Sequence, residues 1–118
     1  MTKVLSPQAL KEFIEDFLNS KKAQDVVSID LLGKSSLADY LIIASGTSQR
    51  QVGSMAQLLR EDLKKKGLKD IHIEGVPQCD WVLVDAGDVI VHVFRPEVRD
   101  FYHLERIWGP EGHPSDSL

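Results

Sequence analysis

Apolar residues recur at helical spacing in two stretches of the chain, and the first of these opens with a typical helix start. Ser6-Pro7 offers a hydroxyl at the N-cap and a proline in the first turn. The apolar positions that follow fall at i, i+3, i+4, i+7 and i+8, and they are Leu10, Phe13, Ile14, Phe17 and Leu18. This pattern predicts an amphipathic helix that buries the stripe.

The second helical stretch begins where Ser48 and Gln51 fit a capping box. Its predicted buried face consists of Val52, Met55, Ala56, Leu59 and Leu63. Lysines at 64–66 complement the negative end of a helix dipole, and Gly67 is typical of a residue just beyond a helix end.

The other apolar stretches are short and predict β-strands at 26–31, 40–45 and 71–74. Residues 40–45 (YLIIAS) are apolar on both faces, as is typical of a central strand. Residues 80–94 (DWVLVDAGDVIVHVF) predict a hairpin, because two apolar strand patterns flank the Gly-bearing turn at 85–88. A last helix is expected to open at 95–97 and to carry Val98, Phe101, Leu104 and Trp108.

The predicted order of elements is αββα followed by βββα. Helices lie between only some of the consecutive strands, so we expect a mixed rather than a purely parallel sheet. The length of 118 residues and the lack of a long linker predict a single domain over residues 1–109. Residues 110–118 contain Gly and Pro and little apolar surface, which predicts a flexible C-terminal tail.

Charge and cysteine content narrow the classes of function. The formal net charge of −4 argues against wrapping nucleic acid, and it favours encounter with a basic protein. Cys79 is the only cysteine, which excludes an internal disulfide framework and a multi-cysteine zinc site. We therefore expect a cytoplasmic protein. No apolar run is long enough to cross a membrane, and the first 20 residues are too charged for a signal peptide.

Two polar loops are candidate sites. The N–H groups of Gly46, Thr47 and Ser48, together with Arg50, could hold an anion, although Ser48 as a simple helix cap is the favoured interpretation. Asp85 and Asp88 could form a metal pair, but Asp is common in tight turns, and turn or partner contacts are favoured.

Four ring-bearing residues allow both a structural and a functional interpretation from the sequence. His92 lies in an apolar strand and is interpreted as a hydrogen-bonded core residue rather than a general base. Trp81 is equally consistent with a core position and a binding anchor, whereas Trp108 fits a helix stripe. Tyr102 and Glu105 can share a helix face, either solvated or beside Trp81.

Several segments together resemble the ribosomal silencing factor family, also called RsfS, YbeB or Iojap. The resemblance covers roughly residues 7–109. It is carried by IDLLGKSSLADYLIIASGTSQRQV (29–52), IEG (73–75), DWVLVDAGDVIVHVF (80–94) and RDFYHLERIWG (99–109). Each piece alone is weak, and the combination is specific.

The resemblance implies an α+β fold with a mixed sheet of about five strands flanked by helices, related to nucleotidyltransferases but without their catalytic metal site. It implies no enzymatic activity, no catalytic residue and no cofactor. Family members bind ribosomal protein L-fourteen on the large ribosomal subunit and block joining of the small subunit, notably when nutrients are short. Organellar relatives are also associated with late maturation of the large subunit.

Carried over to this sequence, the resemblance assigns partner contact to Trp81 and to the turn residues Asp85, Gly87 and Asp88. We also expect Ala86, Tyr102 and Glu105 to belong to the partner-contact set. Ala86 stands where relatives often have a larger apolar residue, so the shape of the turn matters more than this side chain. We expect no sequence-specific nucleic acid partner and no membrane partner. Two alternatives remain: a nucleotide-binding or nucleotidyltransferase-like enzyme that uses the 46–50 loop, and a homodimeric scaffold.

Overall fold

The computed structural model describes residues 6–34, 36, 38–76 and 80–95, and within them it contains two helices and five strands. In chain order these are α1 (Pro7–Ser20), β1 (Gln24–Asp30), β2 (Tyr40–Ser45), α2 (Gln49–Lys65), β3 (His72–Glu74), β4 (Trp81–Asp85) and β5 (Val89–Phe94). The helix and strand predictions are confirmed, with shifts of one or two residues in β1 and β3. The predicted last helix, Trp108 and the tail at 110–118 lie outside the described residues.

The five strands form one sheet in the order β1-β2-β5-β4-β3. The β2–β5 pair is parallel, and the other three pairs are antiparallel, so the predicted mixed sheet is confirmed. In the central parallel pair Tyr40 lies opposite Val89 and Ser45 lies opposite Phe94. In the hairpin Trp81 lies opposite Phe94, and Asp85 lies opposite Ile90.

Strand β1 begins two residues earlier than its apolar pattern indicates. Gln24 already pairs with Ser45, and the register then shifts before Val27. Asp25 has a positive φ of 51° at this irregularity, a conformation that Asp tolerates better than most residues. The polar residues at the start of the strand therefore conceal its true beginning.

Both helices pack against the same side of the sheet, which we call the helix side. Alternate strand residues point to this side and meet the apolar stripes of α1 and α2, as period-2 and period-3.6 patterns require. The resulting helix-side cluster includes Leu10, Ile14, Leu18, Ile42, Ala44, Val52, Ala56, Leu59, Val82, Val84, Val89, Val91 and Val93. This cluster is the main core of the protein.

The opposite side of the sheet, called the far side, has a second and smaller cluster. Its buried members are Ile29, Leu31, Ala38, Leu41, Ile43 and Phe94, and Val27, Trp81 and Ile90 pack against them while half-buried. Because strand residues alternate between the two sides, strands β1, β2, β4 and β5 supply residues to both clusters. Trp81 and His92 therefore lie on the far side, away from both helices.

Side-chain caps fix the helix starts. Ser6 Oγ accepts a hydrogen bond from the Ala9 N–H, and Ser48 Oγ accepts one from the Gln51 N–H. The predicted capping box is half formed, since the Gln51 side chain bonds Thr47 rather than returning to Ser48. The Gln51 amide also donates to the Lys21 carbonyl at 3.2 Å, which ties the end of α1 to the start of α2.

Gly75 allows the chain to pass directly beside the start of β4. Its φ is +90°, and a Cβ atom there would lie 2.2 Å from the Trp81 carbonyl oxygen. Gly87 in the hairpin turn has nearly the same φ, +89°, but a Cβ atom added to it would meet no other atom within 4 Å. A side chain at Gly87 would therefore cause backbone strain alone, whereas a side chain at Gly75 would cause backbone strain and a steric clash.

We expect Gly75→Ala to destabilise the protein far more than Gly87→Ala. The Gly87 change costs about 1–2 kcal/mol from the left-handed backbone alone. The Gly75 change adds a collision with backbone, so we expect a total of at least about 3 kcal/mol. Urea unfolding of both variants measures this difference, and equal losses would contradict the close approach of Gly75 to Trp81.

Candidate partner-binding surface

The two strands of the β4–β5 hairpin expose one continuous strip of side chains on the far side of the sheet. Alternation places Trp81, Leu83 and Asp85 of β4 beside Ile90 and His92 of β5. All five residues are half-buried. We call these five residues the hairpin surface, and they form a partly apolar strip bordered by charge.

Trp81 is held in one orientation by its neighbours on β5. Its ring stacks on Phe94 with centroids 4.9 Å apart and an interplanar angle of 29°. Its Nε1–H donates to Nδ1 of His92 at 2.8 Å. Phe94 is fully buried, so the indole rests on the far-side cluster and keeps part of its surface accessible. The core interpretation of Trp81 is therefore supported in part, and its role as a binding anchor stays a prediction.

His92 acts as the acceptor for the indole, as its interpretation as a hydrogen-bonded residue predicts. An indole N–H can only donate, so Nδ1 of His92 must carry a lone pair and the ring proton lies on Nε2. Burial lowers the pKa of His92 from 6.5 to about 4, because a charged ring loses its hydration there. The imidazole is therefore neutral near pH 7.

Asp80 anchors the strand immediately before Trp81. One carboxylate oxygen, Oδ1, lies 2.9 Å from Nε of Arg95 and also accepts a hydrogen bond of 2.9 Å from the Gln49 amide. The Asp80 carbonyl accepts a hydrogen bond from the Arg95 N–H at 3.0 Å. These contacts join the start of α2, the start of β4 and the end of β5. Sequence reasoning missed this cluster, because its members are far apart in the chain.

The turn at 85–88 is ordered by its own backbone bonds and by the β1–β2 loop. Asp85 Oδ1 accepts from the Gly87 N–H at 2.9 Å, and the Asp88 carbonyl accepts from the N–H groups of Asp39 and Tyr40. This arrangement favours turn chemistry over a metal pair for Asp85 and Asp88. In the described residues no group of three or more His, Cys, Asp and Glu side chains could hold a metal ion.

Ala86 does not fit its expected place among the partner contacts. Only 7% of its surface is exposed, and it packs into the helix-side cluster. Its methyl group therefore faces the core of the protein, whereas Gly87 and Asp88 are exposed. The shape of the turn, rather than the Ala86 side chain, is what a partner can contact.

Trp81 and the turn lie at opposite ends of β4. Asp85 is four residue steps beyond Trp81 along an extended strand, which corresponds to about 13 Å. A partner that contacts both must therefore cover the full length of the hairpin. Tyr102, Glu105 and Cys79 lie outside the described residues.

The loop predicted to bind an anion already uses much of its donor capacity internally. The Gly46 N–H donates to the Phe94 carbonyl, and the Thr47 N–H and hydroxyl donate to the Gln51 side chain. Ser48 caps α2, while Arg50 is exposed. The helix-cap interpretation thus has direct support, and an anion held by the N–H groups of Gly46 and Thr47 does not.

We expect His92 to make stability depend on acid pH. Its folded pKa is about 4 and its ordinary value is 6.5, so the unfolded chain takes up a proton first as the pH falls. The His92 contribution is complete above pH 6.5 and is lost toward pH 4, by up to about 3 kcal/mol. The variant His92→Asn keeps an acceptor near Nδ1 without titrating, and should lack this loss in urea unfolding measured from pH 7.5 to 4.

The matched control for this experiment is His72→Asn. His72 is exposed and pairs with Glu74 at 2.7 Å, so its replacement should leave the acid-dependent loss in place. Parallel pH profiles for wild type and His92→Asn would refute the assigned role of burial.

Comparison with known proteins connects this geometry to one family. A family profile described as "Ribosomal silencing factor during starvation" matches residues 5–117. The ribosomal silencing factor RsfS of Zymomonas mobilis is 52% identical over 103 residues, which cover 87% of this chain and 77% of that protein. A more distant relative from Mus musculus, "Mitochondrial assembly of ribosomal large subunit protein 1", is 32% identical over 100 residues, 82% of this chain and 44% of that protein.

Solved structures agree with the sequence comparison. A crystal structure of a Chromobacterium violaceum protein superposes with a TM-score of 0.85 at 40% identity, covering 89% of this chain and 88% of that one. Among the described residues, no helix is long and apolar enough to span a membrane. The resemblance in the motifs, the profile match and the shared fold agree, and this chain belongs to the ribosomal silencing factor family.

Proposed function

We propose that this protein binds ribosomal protein L-fourteen on the large ribosomal subunit through its hairpin surface and prevents the small subunit from joining. The observation that carries the proposal is the half-buried indole of Trp81, which is fixed by Phe94 and His92 and remains partly accessible. Partly exposed tryptophans with a fixed orientation are common energetic anchors of protein interfaces.

The hairpin surface suits a basic partner. Asp85 belongs to it, Asp88 follows in the exposed turn, and Glu74 lies opposite Leu83 on the neighbouring strand β3. These carboxylates lie beside Leu83 and at the turn end of the strip, next to the apolar surface that Leu83 and Trp81 provide. Such a pattern combines electrostatic attraction at the border with apolar burial at the centre.

The proposed contact set comprises Trp81, Asp85, Gly87 and Asp88, with the turn shape supported by buried Ala86. Tyr102 and Glu105 are proposed to extend the same contact, and they lie outside the described residues. Because the set spans the whole length of β4, the partner must present a surface at least as long as the hairpin. This requirement excludes contact through Trp81 alone.

In this proposal silencing is steric and requires no reaction. A domain with principal extents of 42 × 35 × 22 Å, fixed on the face where two subunits meet, occupies space that the second subunit needs. The protein acts in the cytoplasm without a cofactor, and repression of translation follows from the subunits remaining apart. A contribution to large-subunit maturation is compatible with the same contact.

A homodimer formed through the same far side is a further proposal. It would bury the apolar centre of the hairpin surface, so dimer formation and ribosome binding should exclude one another. Light scattering with and without large subunits measures this, and a dimer that persists on the ribosome would contradict it.

We expect Trp81→Ala to weaken binding to purified large subunits by about 30-fold, because removal of an aromatic anchor costs about 2 kcal/mol. The variant Trp81→Phe keeps the stack on Phe94 and should fall between wild type and Trp81→Ala. In a sucrose-gradient assay with separated subunits, Trp81→Ala should also require correspondingly more protein to prevent joining.

The control is Phe13→Ala, which truncates a half-buried aromatic residue on the helix side. It should lose stability and keep its affinity at a temperature where it is folded. Equal affinity of Trp81→Ala and wild type would remove Trp81 from the interface.

A further inference from the structure

A groove of about 320 Å³ lies between the end of α1 and one face of α2, on the helix side of the sheet. We call it the α1–α2 groove. Its lining consists of Lys21, Ser48, Arg50, Gln51, Ser54, Met55 and Leu58. Residues 51, 54, 55 and 58 follow the spacing of a helix stripe, so α2 presents a second stripe beside the one that it buries in the core.

The rim of this groove carries positive charge that the described part of the chain does not neutralise. Arg50 is exposed, and no described residue forms a hydrogen bond or ion pair with its side chain. The Lys21 ammonium lies 5.6 Å from the centre of the Phe17 ring, and no described carboxylate pairs with it. The Ser54 hydroxyl likewise has no partner among the described residues. Two cations and a hydroxyl are thus available to a ligand.

The floor of the groove is apolar. Met55 is 2% exposed and Leu58 is 38% exposed, and Leu58 is one of two large exposed apolar residues in the described part of the chain. A cationic rim above an apolar floor suits a ligand with an anionic group attached to an uncharged, ring-containing body. The volume is at the lower end of small-ligand pockets, about 300 Å³, which suits a single nucleotide rather than a helix.

The position of the groove connects it to the hairpin surface. Gln49, next to Arg50 in the chain, donates to Asp80, and Asp80 precedes Trp81. The groove and Trp81 therefore lie at the same end of the sheet, on opposite sides of it, and a large particle that reaches around this end can contact both. A basic ribosomal protein would be repelled by Lys21 and Arg50, whereas the RNA that surrounds it would be attracted.

We propose that the α1–α2 groove holds one unpaired nucleotide of ribosomal RNA, with its backbone phosphate between Lys21 and Arg50 and its sugar and base over Met55 and Leu58. This inference rests on the proposed function, because it requires the large subunit as partner. Phosphate contact by two cations adds affinity without reading sequence. Unpaired nucleotides are the elements of RNA that can leave a helix and enter a protein pocket.

The test compares two double variants that change the net charge equally. Lys21→Gln with Arg50→Gln removes the groove cations, and Lys34→Gln with Lys69→Gln removes two exposed lysines elsewhere. Binding to purified large subunits is measured from about 50 to 200 mM KCl. The groove variant should bind at least about fivefold more weakly at the lowest salt, and the slope of log affinity against log salt should decrease by about 1–2. The control should change much less.

A second variant addresses the groove without changing charge. Ser54→Phe fills it with a neutral ring at an exposed position, so the fold should persist, and binding should weaken severalfold. Hydroxyl-radical probing should show nucleotides of the large-subunit RNA that the wild-type protein protects from cleavage. The Ser54→Phe variant and the groove-cation variant should both fail to protect these nucleotides. Protections that depend on Trp81 should remain.

Equal salt slopes for the two double variants, or RNA protection that survives in the groove variants, would overturn the inference. Weaker binding by the groove-cation variant with unchanged RNA protection would favour an acidic protein segment as occupant. These outcomes are distinct from failure of the proposed function. If the proposed function is wrong, the wild-type protein does not bind large subunits, or the Trp81→Ala variant binds them as tightly as wild type does.

Discussion

The antiparallel register of β4 and β5 is the constraint on which the candidate site depends. It places Trp81 opposite Phe94 and Leu83 opposite His92, so the indole can stack on one ring and donate to the other. A shift of one residue would exchange the two sides of β4. Val82 and Val84 would then leave the helix-side cluster, and Trp81 would enter it. The core that holds the sheet together therefore also fixes the direction in which the indole points.

The same register explains why a histidine is tolerated in an apolar strand. His92 occupies the far side, where it is half-buried, instead of the helix side, where Val91 and Val93 are almost fully enclosed. Its neutral ring satisfies the Trp81 N–H, which would otherwise be a poorly solvated donor. Burial lowers the pKa of His92 and keeps it in the form that accepts this bond. The histidine thus supports the orientation of the tryptophan, and no described carboxylate or nucleophile contacts it through a hydrogen bond that would make it a base.

Sequence periodicity was sufficient to predict the helices, the central strand and the hairpin, because these elements bury regular apolar patterns. It also predicted Ser6 and Ser48 as caps, since capping is a local interaction. It could not predict that Asp80 accepts bonds from both Gln49 and Arg95, because those contacts join residues 31 and 15 positions apart. It also gave no sign that Ala86 faces the core or that Thr47, rather than Ser48, donates to the Gln51 side chain. Both features depend on how the loops pack against the folded sheet, which local sequence patterns do not specify.

The acidic and basic side chains lie on different surfaces of the protein, and this separation suits the two proposed contacts. The chain is acidic overall, with a net charge of −4, yet Lys21 and Arg50 stand together at the groove without a described counter-charge. A uniformly acidic surface would be repelled by ribosomal RNA wherever the two approach, and a uniformly basic one would bind RNA indiscriminately. Separation of the charges lets carboxylates meet a basic protein while cations meet RNA. Because the Gln49–Asp80 hydrogen bond joins the two contact regions within one packed domain, binding at either region requires no linker to be ordered. The second contact is then formed with little further loss of entropy, which is the physical advantage of carrying both on a single rigid fold.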